Sequence, residues 1–259
     1  MQQASRDIDR IAPTQRPDGK PIGQHTWSNL LFVHWKVPRL EVERFLPDEL
    51  SVDTFEGSAW IGLVPFQLSG VRPWWFPPVP GISSFYETNV RTYVHLDGKD
   101  PGVWFFSLDA ASSLAVRIAR SRWHLPYHRA HMTLERSGGA ISYTSSRLWP
   151  GRFGVGGRIE AEVGDSIGAL DKSVPSGQAV PGTIEHFLAE RYFFYAQSAK
   201  NTLIRGRVHH SAYPLCEARM RDLDQTLVSD AGFDVSNRPD HVLFSKGVNV
   251  DVFGLEPAT

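Results

Sequence analysis

The segment FYETNVRTYVH, residues 85–95, decides the fold expected for this chain. Polar and less polar residues alternate along it, and the side chains of a β-strand point alternately to opposite faces. One face therefore carries Glu87, Asn89, Arg91, Tyr93 and His95. We expect this polar row to be either the solvent side of a sheet or the polar wall of a cavity.

The next expected strand, residues 102–109, places Val103, Phe105, Ser107 and Asp109 on one face. If the two strands pair, Glu87 and Arg91 meet Ser107 or Asp109. An arginine between two carboxylates neutralises the charge of one and leaves the other without a counter-ion. A buried carboxylate without a counter-ion tends to keep its proton. This is one way to make a general acid near neutral pH. The alternative is an ion-paired network that only closes the wall of the sheet.

Outside these two strands, most of the chain has the short apolar runs and turns that are typical of strands. Gly138-Gly139 separates two such runs and indicates a hairpin. The predicted strands are residues 30–37, 58–68, 84–96, 102–109, 130–136, 140–148, 211–220 and 241–253. The predicted helices are residues 38–45, 111–120, 183–200 and 222–229. In the third, Thr183 is the cap, and the apolar and aromatic residues recur at helical spacing: Ile184, Phe187, Leu188, Tyr192 and Tyr195.

Many strands with few helices indicate a mainly β (α+β) fold, a closed antiparallel barrel with peripheral helices. Such barrels can hold a small ligand. Residues 1–24 are polar and contain three prolines, so we predict a flexible N-terminal arm followed by a single domain over residues 25–259.

Composition narrows the function classes. The 259 residues carry a net charge of −1, which disfavours nucleic acid as a partner. No apolar run is long enough to span a bilayer, and the N-terminus does not resemble a signal peptide. The single cysteine, Cys216, suits a reducing compartment. We therefore expect a cytoplasmic protein with no membrane partner and with a small-molecule ligand, which could form a homo-oligomer.

Six ordered segments resemble the bacterial DUF2071 (YqjF-like) family: LLFVHWKV (30–37), NVRTYV (89–94), WFFSLDA (104–110), LPYHRA (125–130), FLAERYFFY (187–195) and VHHSAYPL (208–215). The family is related to the acetoacetate decarboxylase-like fold. The resemblance implies a cone-shaped antiparallel β-barrel around a cavity, with helices outside. It implies little about function, because the family is largely uncharacterised.

The resemblance to the decarboxylases includes Trp123-His124-Leu125-Pro126, after which they carry the lysine that forms a Schiff base. Here Tyr127 follows, and a phenol cannot form an imine. Lys36, Lys200 and Lys246 are the candidates for a relocated amine, which we do not favour. Tyr127 could instead donate a hydrogen bond to a substrate oxyanion, or it is a core or rim tyrosine.

Three other features have both a functional and a structural interpretation. The ten histidines show no metal-binding motif, so we expect no metal and no cofactor. Arg191 either reaches the cavity mouth or anchors a helix through an ion pair. The Pro-rich segment around Trp74 and Trp75 is either a lid over the cavity or ordinary packing.

Two function classes remain. In the first, the protein is an enzyme, or a former enzyme, with lyase-like proton-transfer chemistry on a small organic acid or carbonyl compound. Its catalytic residues would be Glu87, Arg91, Asp109 and Tyr127, and its ligand-binding residues Asn89, Tyr93, Ser107, Trp74, Trp75 and Arg191. In the second, the protein is a non-catalytic barrel that senses or carries a small molecule. An interaction module built on the Trp74-Trp75 loop is a weaker third interpretation.

Overall fold

The computed structural model of this chain describes residues 8–168 and 174–258. Within these ranges, the strands are β1 Gly23–Val37, β2 Ser51–Val52, β3 Ala59–Pro73, β4 Phe85–Leu96, β5 Lys99–Ala110, β6 Tyr127–Ser137, β7 Ala140–Trp149, β8 Gly156–Ser166, β9 Phe193–Gln197, β10 Leu203–His210, β11 Leu215–Gln225 and β12 His241–Pro257. The α-helices there are α1 Arg39–Glu43, α2 Ser113–Arg122, α3 Ile184–Ala189 and α4 Leu227–Asp230.

The strands form one sheet that closes on itself, which confirms the predicted mainly β, barrel-like fold. The closure is double. One circuit runs through β5, β6, β7, β8, β11, β12, β1, β3 and β4, and a second replaces β6, β7, β8 and β11 by β9 and β10. Both β5 and β12 supply one edge to two neighbours, at different points along their length.

The strands β1, β3 and β4, common to both circuits, are buried on both faces. In β1, Leu31, Val33 and Trp35 belong to one apolar cluster, while Leu30 and Phe32 on the opposite face belong to another. The first cluster includes side chains of β7, β8 and β11, and the second includes side chains of β9 and β10. Two buried faces explain why the sequence of β1 is almost continuously apolar.

Two pairings of β5 depart from the predicted antiparallel pattern. β5 runs parallel to β6 and parallel to β9. Parallel neighbours need a crossover connection, and α2 lies in the one between β5 and β6. Ser112 caps α2 by accepting a hydrogen bond from the Ala115 N–H at 3.3 Å.

The predicted helix 183–200 is wrong in its second half. Thr183 does cap a helix, accepting from the His186 N–H at 3.4 Å, but α3 ends at Ala189. Phe193–Gln197 form β9 instead and pair with both β10 and β5. The aromatic run that recurred at helical spacing also suits a strand, and the unpaired edges of β5 and β10 decide between the two.

The predicted helix 222–229 is shorter than expected. Its first residues belong to β11, and α4 covers only Leu227–Asp230. β8 and β10 were not predicted, and β8 begins within the glycine-rich segment 151–157. There, a Cβ on Gly156 would lie 1.9 Å from the backbone oxygen of Ser145, and one on Gly157 would lie 2.1 Å from that of Asp224. Glycine is required for both neighbours to approach.

Residues 8–22 precede β1 and contact the rest of the chain through charged groups. Arg10 forms an ion pair with Asp53, and Arg16 forms one with Asp251 at 3.0 Å. Residues 1–7 of the predicted arm lie outside the described residues, and the flexibility of the arm and the single-domain boundary stay predictions. No helix in the described ranges has the length and apolar character needed to cross a membrane.

Candidate functional site

A cavity of about 560 Å³ lies on the side of the central strands that faces β9 and β10. Its volume is within the range of small-molecule sites. The walls are mainly apolar and aromatic, and their large members include Trp27, Phe66, Phe85, Phe105, Trp123 and Phe194. The polar side chains of the wall include Glu87, Asn89, Arg91, Tyr127 and Arg191.

Strand β4 supplies three of these polar groups. Glu87, Asn89 and Arg91 alternate along it and all line the cavity, while Val90 between them packs into the opposite cluster. Three of the five side chains in the polar row predicted from sequence therefore line a cavity, and Tyr93 and His95 do not. Tyr93 continues the row below the cavity, fully buried, with its ring centroid 5.1 Å from that of Phe187.

Arg91 is a buried cation without a counter-ion in the described part of the chain. Its Nη2 donates to the Leu188 carbonyl oxygen at 3.0 Å and to the Tyr93 hydroxyl at 3.3 Å. Its Nε has no hydrogen-bond partner, and no carboxylate of the described ranges lies within 4.0 Å of it. An unpaired buried charge is costly, so this guanidinium is poised for an anion.

The groups that hold Arg91 are neutral. The Tyr93 hydroxyl donates to the Leu188 carbonyl oxygen at 2.7 Å, and it lies 2.7 Å from Nε2 of His34. With its proton committed to Leu188, this hydroxyl accepts from His34. Burial, together with the positive charge of Arg91, holds the pKa of His34 well below its usual value. His34 therefore adds no charge of its own.

Glu87 is held differently. The Tyr127 hydroxyl donates to its Oε2 at 2.9 Å. Burial raises the pKa of Glu87 to about 8, the hydrogen bond from Tyr127 opposes this rise, and the negative charge of Asp109 adds to it. Burial and the neighbouring Glu87 raise the pKa of Tyr127 well above its ordinary value. These shifts favour the protonated form of both groups at neutral pH. The arginine expected beside Glu87 does not form an ion pair with it.

Arg191 also lines the cavity, and its side chain is 2% exposed. Its Nη2 lies 3.1 Å from Asp53, which also pairs with Arg10. Its guanidinium lies 4.5 Å from the ring centroid of Phe187. Arg191 thus combines both interpretations from sequence, a place on the cavity wall and an ion pair that anchors the end of α3.

The expectation that Ser107 and Asp109 share a face with Phe105 is wrong. Val90 pairs with Ser107 but Arg91 pairs with Phe105, so Phe106 is an extra residue, a β-bulge. A one-residue shift moves every later side chain to the other face. Leu108 therefore lines the cavity with Phe105, while Ser107 and Asp109 point away from it.

Asp109 accordingly meets Arg147 rather than Arg91. Nε and Nη2 of Arg147 donate to its two oxygens at 3.0 and 2.7 Å, and Nη1 donates to Asp230 at 2.6 Å. Both partners of the Asp109–Arg147 pair are at least 98% buried. This cluster corresponds to the structural alternative stated from sequence.

Trp74 and Trp75 do not line the cavity. They are 49% and 67% exposed, while their neighbours Phe76, Pro77 and Val79 line its mouth. No lysine of the described residues lines the cavity, and Lys36, Lys200 and Lys246 are all exposed. In the same part of the chain, no group of three or more potential ligands is placed to hold a metal ion.

Sequence reasoning missed several groups at the site. The Leu188 carbonyl accepts from Arg91 directly, and His34 acts on it through the Tyr93 hydroxyl. Gly62 on β3 lies directly opposite Arg91. A Cβ on Gly62 would lie 2.9 Å from Nε2 of His34 and 3.4 Å from Cγ of Arg91. The glycine within an otherwise bulky strand was the available signal, since such a residue marks a close approach.

These features define a class: a closed β-sheet protein with the acetoacetate decarboxylase-like fold, whose cavity carries an arginine without a carboxylate partner among the described residues. The fold assignment rests on solved structures that align over nearly the whole chain. An acetoacetate decarboxylase superposes with a TM-score of 0.60 at 12% identity, covering 93% of this chain and 90% of that one. An acetoacetate decarboxylase-like enzyme from Sphingomonas wittichii RW1 gives 0.59 at 13% identity, covering 93% and 94%.

The enduracididine biosynthesis enzyme MppR, in complex with pyruvate, gives a TM-score of 0.57 at 16% identity over 94% of this chain and 93% of that one. The chain belongs to the DUF2071 family, whose model, described as "Uncharacterized conserved protein", matches residues 24–249. The uncharacterized protein YqjF of Bacillus subtilis (strain 168) is 37% identical over 215 residues, 83% of each chain.

Proposed function

We propose that this protein binds a small organic acid or carbonyl compound in its cavity, without Schiff-base chemistry. The observation that carries the proposal is Arg91, a buried guanidinium that lines a mainly apolar cavity and has no carboxylate partner in the described residues. A ligand carboxylate would supply the missing counter-ion through charge-assisted hydrogen bonds.

The neighbouring groups favour a ligand with one anionic end and an apolar body. Asn89 lies beside Arg91 on the wall, and the N–H groups of its side-chain amide can donate to a ligand oxygen. Away from these groups, the wall consists mainly of aromatic and aliphatic side chains such as Phe66, Phe105 and Phe194. A carboxylate at Arg91 with its carbon chain along these rings satisfies both environments.

The test compares a carboxylate with a neutral molecule of the same chain length. Hexanoate and hexanamide are titrated into the full-length protein by calorimetry. Hexanoate is expected to bind at least about tenfold more tightly, and Arg91→Met is expected to remove this preference, because a hydrogen bond to a charged group is lost.

Arg219→Met is the matched control, because Arg219 is an exposed arginine that pairs with Glu162 far from the cavity. It should bind hexanoate as the wild type does. Equal binding of hexanoate and hexanamide, or undiminished hexanoate binding by a folded Arg91→Met variant, would show that Arg91 is not an anion site.

Glu87 favours a second candidate, proton-transfer catalysis at the same site. Its carboxyl lines the cavity, and its raised pKa, about 8, lets it hold either protonation state near neutral pH. Its carboxylate would take a proton from the carbon next to a ligand carbonyl, and the electron pair would move to the carbonyl oxygen. The charge of Arg91 would stabilise that enolate, and the Glu87 acid would return a proton to carbon.

This candidate is tested by exchange of the methyl hydrogens of pyruvate in D₂O, followed by NMR. The protein should accelerate the exchange, with a rate that rises toward pH 8, and Glu87→Gln should abolish the acceleration. If the wild type exchanges no faster than buffer while hexanoate still binds at Arg91, the protein is the non-catalytic sensor or carrier.

The exclusion of Schiff-base chemistry has its own test. Every lysine in the described ranges is exposed, and none lines the cavity. Borohydride added with pyruvate should therefore leave the mass of the protein unchanged. A reduced pyruvyl adduct on any lysine peptide would restore an imine mechanism.

A further inference from the structure

The exposed apolar side chains of this protein are concentrated at the cavity mouth. Of fourteen large apolar side chains that are exposed in the described ranges, five lie in residues 74–82 between β3 and β4. Two more, Leu114 and Ile118, lie one turn apart on α2. We call residues 74–82 together with Leu114 and Ile118 the apolar rim.

The two parts of the apolar rim border the same opening. Phe76, Val79 and Ile82 line the cavity on one side, and Leu114 and Ile118 line it as well. Each of these five is between 37% and 51% exposed, so they form a continuation of the cavity wall out to solvent. Exposed apolar surface of this extent is typical of an interaction site.

Four basic residues lie on or next to the apolar rim. Lys20 lies with its Nζ 5.2 Å from the ring centroid of Trp74. Arg72 lines the mouth, and Arg117 and Arg122 lie three or four residues after Leu114 and Ile118, on the same side of α2. None of these four cations forms an ion pair within residues 8–168 or 174–258. Neither residues 74–82 nor α2 contains an acidic residue.

We propose that the apolar rim docks on the surface of a bilayer rich in anionic lipid, with the cavity mouth facing the membrane. Tryptophan side chains next to unpaired basic residues suit the headgroup region, where an apolar ring and a cation both find partners. The net charge of −1 gave no indication of this site, because it averages over the chain and the positive charge is local to the rim.

The charge pattern also disfavours a second copy of this chain as the occupant. A two-fold dimer brings the same patch of both subunits together. Lys20, Arg72, Arg117 and Arg122 would then face their own copies with no acid on the rim elements to balance them. Anionic lipid removes this repulsion, whereas self-association increases it.

The experiment is co-sedimentation of the full-length protein with vesicles. One set contains phosphatidylcholine with about one-third phosphatidylglycerol, and the other contains phosphatidylcholine alone. The protein should bind the first set and not the second, and salt should weaken the binding. Trp74→Ala with Trp75→Ala should reduce partitioning by roughly tenfold or more, and Arg117→Gln with Arg122→Gln by more than about tenfold.

Leu40→Ala and Phe153→Ala provide matched controls, because both residues are 78% exposed apolar side chains outside the rim. They should partition like the wild type. The proposal is overturned if the wild type ignores both vesicle types, or if the rim variants partition as well as the controls. It is also overturned if light scattering finds a dimer that the rim variants dissociate while vesicles are not bound.

Discussion

Arg91 and Glu87 lie four residues apart on β4, and burial affects them in opposite ways. Glu87 escapes the cost of a buried charge by keeping its proton, because its pKa rises to about 8. An arginine has no such route, since its guanidinium stays charged in proteins. The same strand face therefore offers one neutral acid and one unbalanced cation, which together suit a monoanionic ligand.

Glu87 makes stability depend on pH. In the unfolded chain it ionises near pH 4.5, and in the folded protein near pH 8, so the folded state holds the extra proton between these values. Stability is thus lost as pH rises through this window, by on the order of a few kcal/mol. Glu87→Gln should remove this loss, so that the variant is more stable than the wild type at pH 9. Urea unfolding at several pH values measures the difference, and a pH-independent difference would contradict it.

Gly62 tests how closely Arg91 is held. In Gly62→Ala the new methyl group would press on His34 and on the stem of Arg91. We expect a loss of about 1–3 kcal/mol in stability from overpacking, together with weaker hexanoate binding in the folded variant. Gly254→Ala is the control, because nothing lies within 4 Å of a Cβ there. Unchanged affinity in Gly62→Ala would mean that the position of Arg91 does not depend on this contact.

At the scale of elements, the bulge at Phe106 gives neighbouring side chains of β5 different roles. It leaves Phe105 and Leu108 on the cavity wall and turns Asp109 toward Arg147. Arg147 reaches from β7 both to Asp109 on β5 and to Asp230 on α4, so one buried guanidinium joins three elements. The acidic residue that sequence placed in the site is therefore part of the framework.

Asp109→Asn tests whether Asp109 contributes to the stability of the fold or to ligand binding. Removing one charge of a buried pair leaves Arg147 partly uncompensated, and the expected loss of stability is about 3–5 kcal/mol. Denaturant unfolding measures this loss. At a temperature where the variant is folded, its affinity for hexanoate should stay within about twofold of the wild type, because Asp109 does not line the cavity. If the variant is stable but no longer binds hexanoate, Asp109 would instead be a residue of the binding site.

The elements also show where local sequence was insufficient. Thr183 and the apolar spacing after it predicted a helix correctly as far as Ala189. Beyond it, Glu190 accepts hydrogen bonds from the Tyr192 hydroxyl at 2.6 Å and from the Tyr213 N–H at 2.9 Å. These partners lie outside the helix, and the edges of β5 and β10 then recruit residues 193–197 as a strand. The cavity wall on that side depends on this change.

At the scale of the whole molecule, histidines whose pKa is lowered by desolvation make the fold sensitive to acid. Burial lowers the pKa of His25 and of His210 to about 4 and that of His34 well below its usual value. Below about pH 6.5 the unfolded chain takes up protons that the folded protein refuses. Each histidine then lowers stability by up to about 1.4 kcal/mol per pH unit. The three together outweigh the opposite slopes of Glu87 and Glu190, whose pKa values burial raises.

The thermal midpoint should therefore be lower at pH 5 than at pH 7. In scanning calorimetry, His210→Gln should reduce this difference between the two midpoints by the contribution of His210. His131→Gln is the control at an exposed position and should leave the difference unchanged. A midpoint that rises from pH 7 to pH 5 would mean that these histidines are protonated in the folded protein.

Much of the fold followed from sequence because the strands of the central wall carry strong local signals. The segments around β1, β3 and β4 are apolar or alternating over eight or more residues, and their existence did not depend on a particular partner. The double closure could not be predicted in this way. It requires β5 and β12 each to pair with different neighbours along one edge, and such pairing joins residues far apart in the chain.

The sequence by itself determined that this chain forms a mainly β fold and that Glu87, Asn89 and Arg91 share one strand face, because these follow from composition and a two-residue period. Its resemblance to a known family, and not its periodicity, implied the acetoacetate decarboxylase-like form of that fold and a tyrosine, Tyr127, in place of the Schiff-base lysine. Only the tertiary structure decided that this face lines a cavity, that Asp109 turns away from it, and that the mouth has an apolar, basic rim. The bulge at Phe106 and the double closure of the sheet produce these features. Both depend on contacts between residues far apart in the chain, which no local sequence pattern contains.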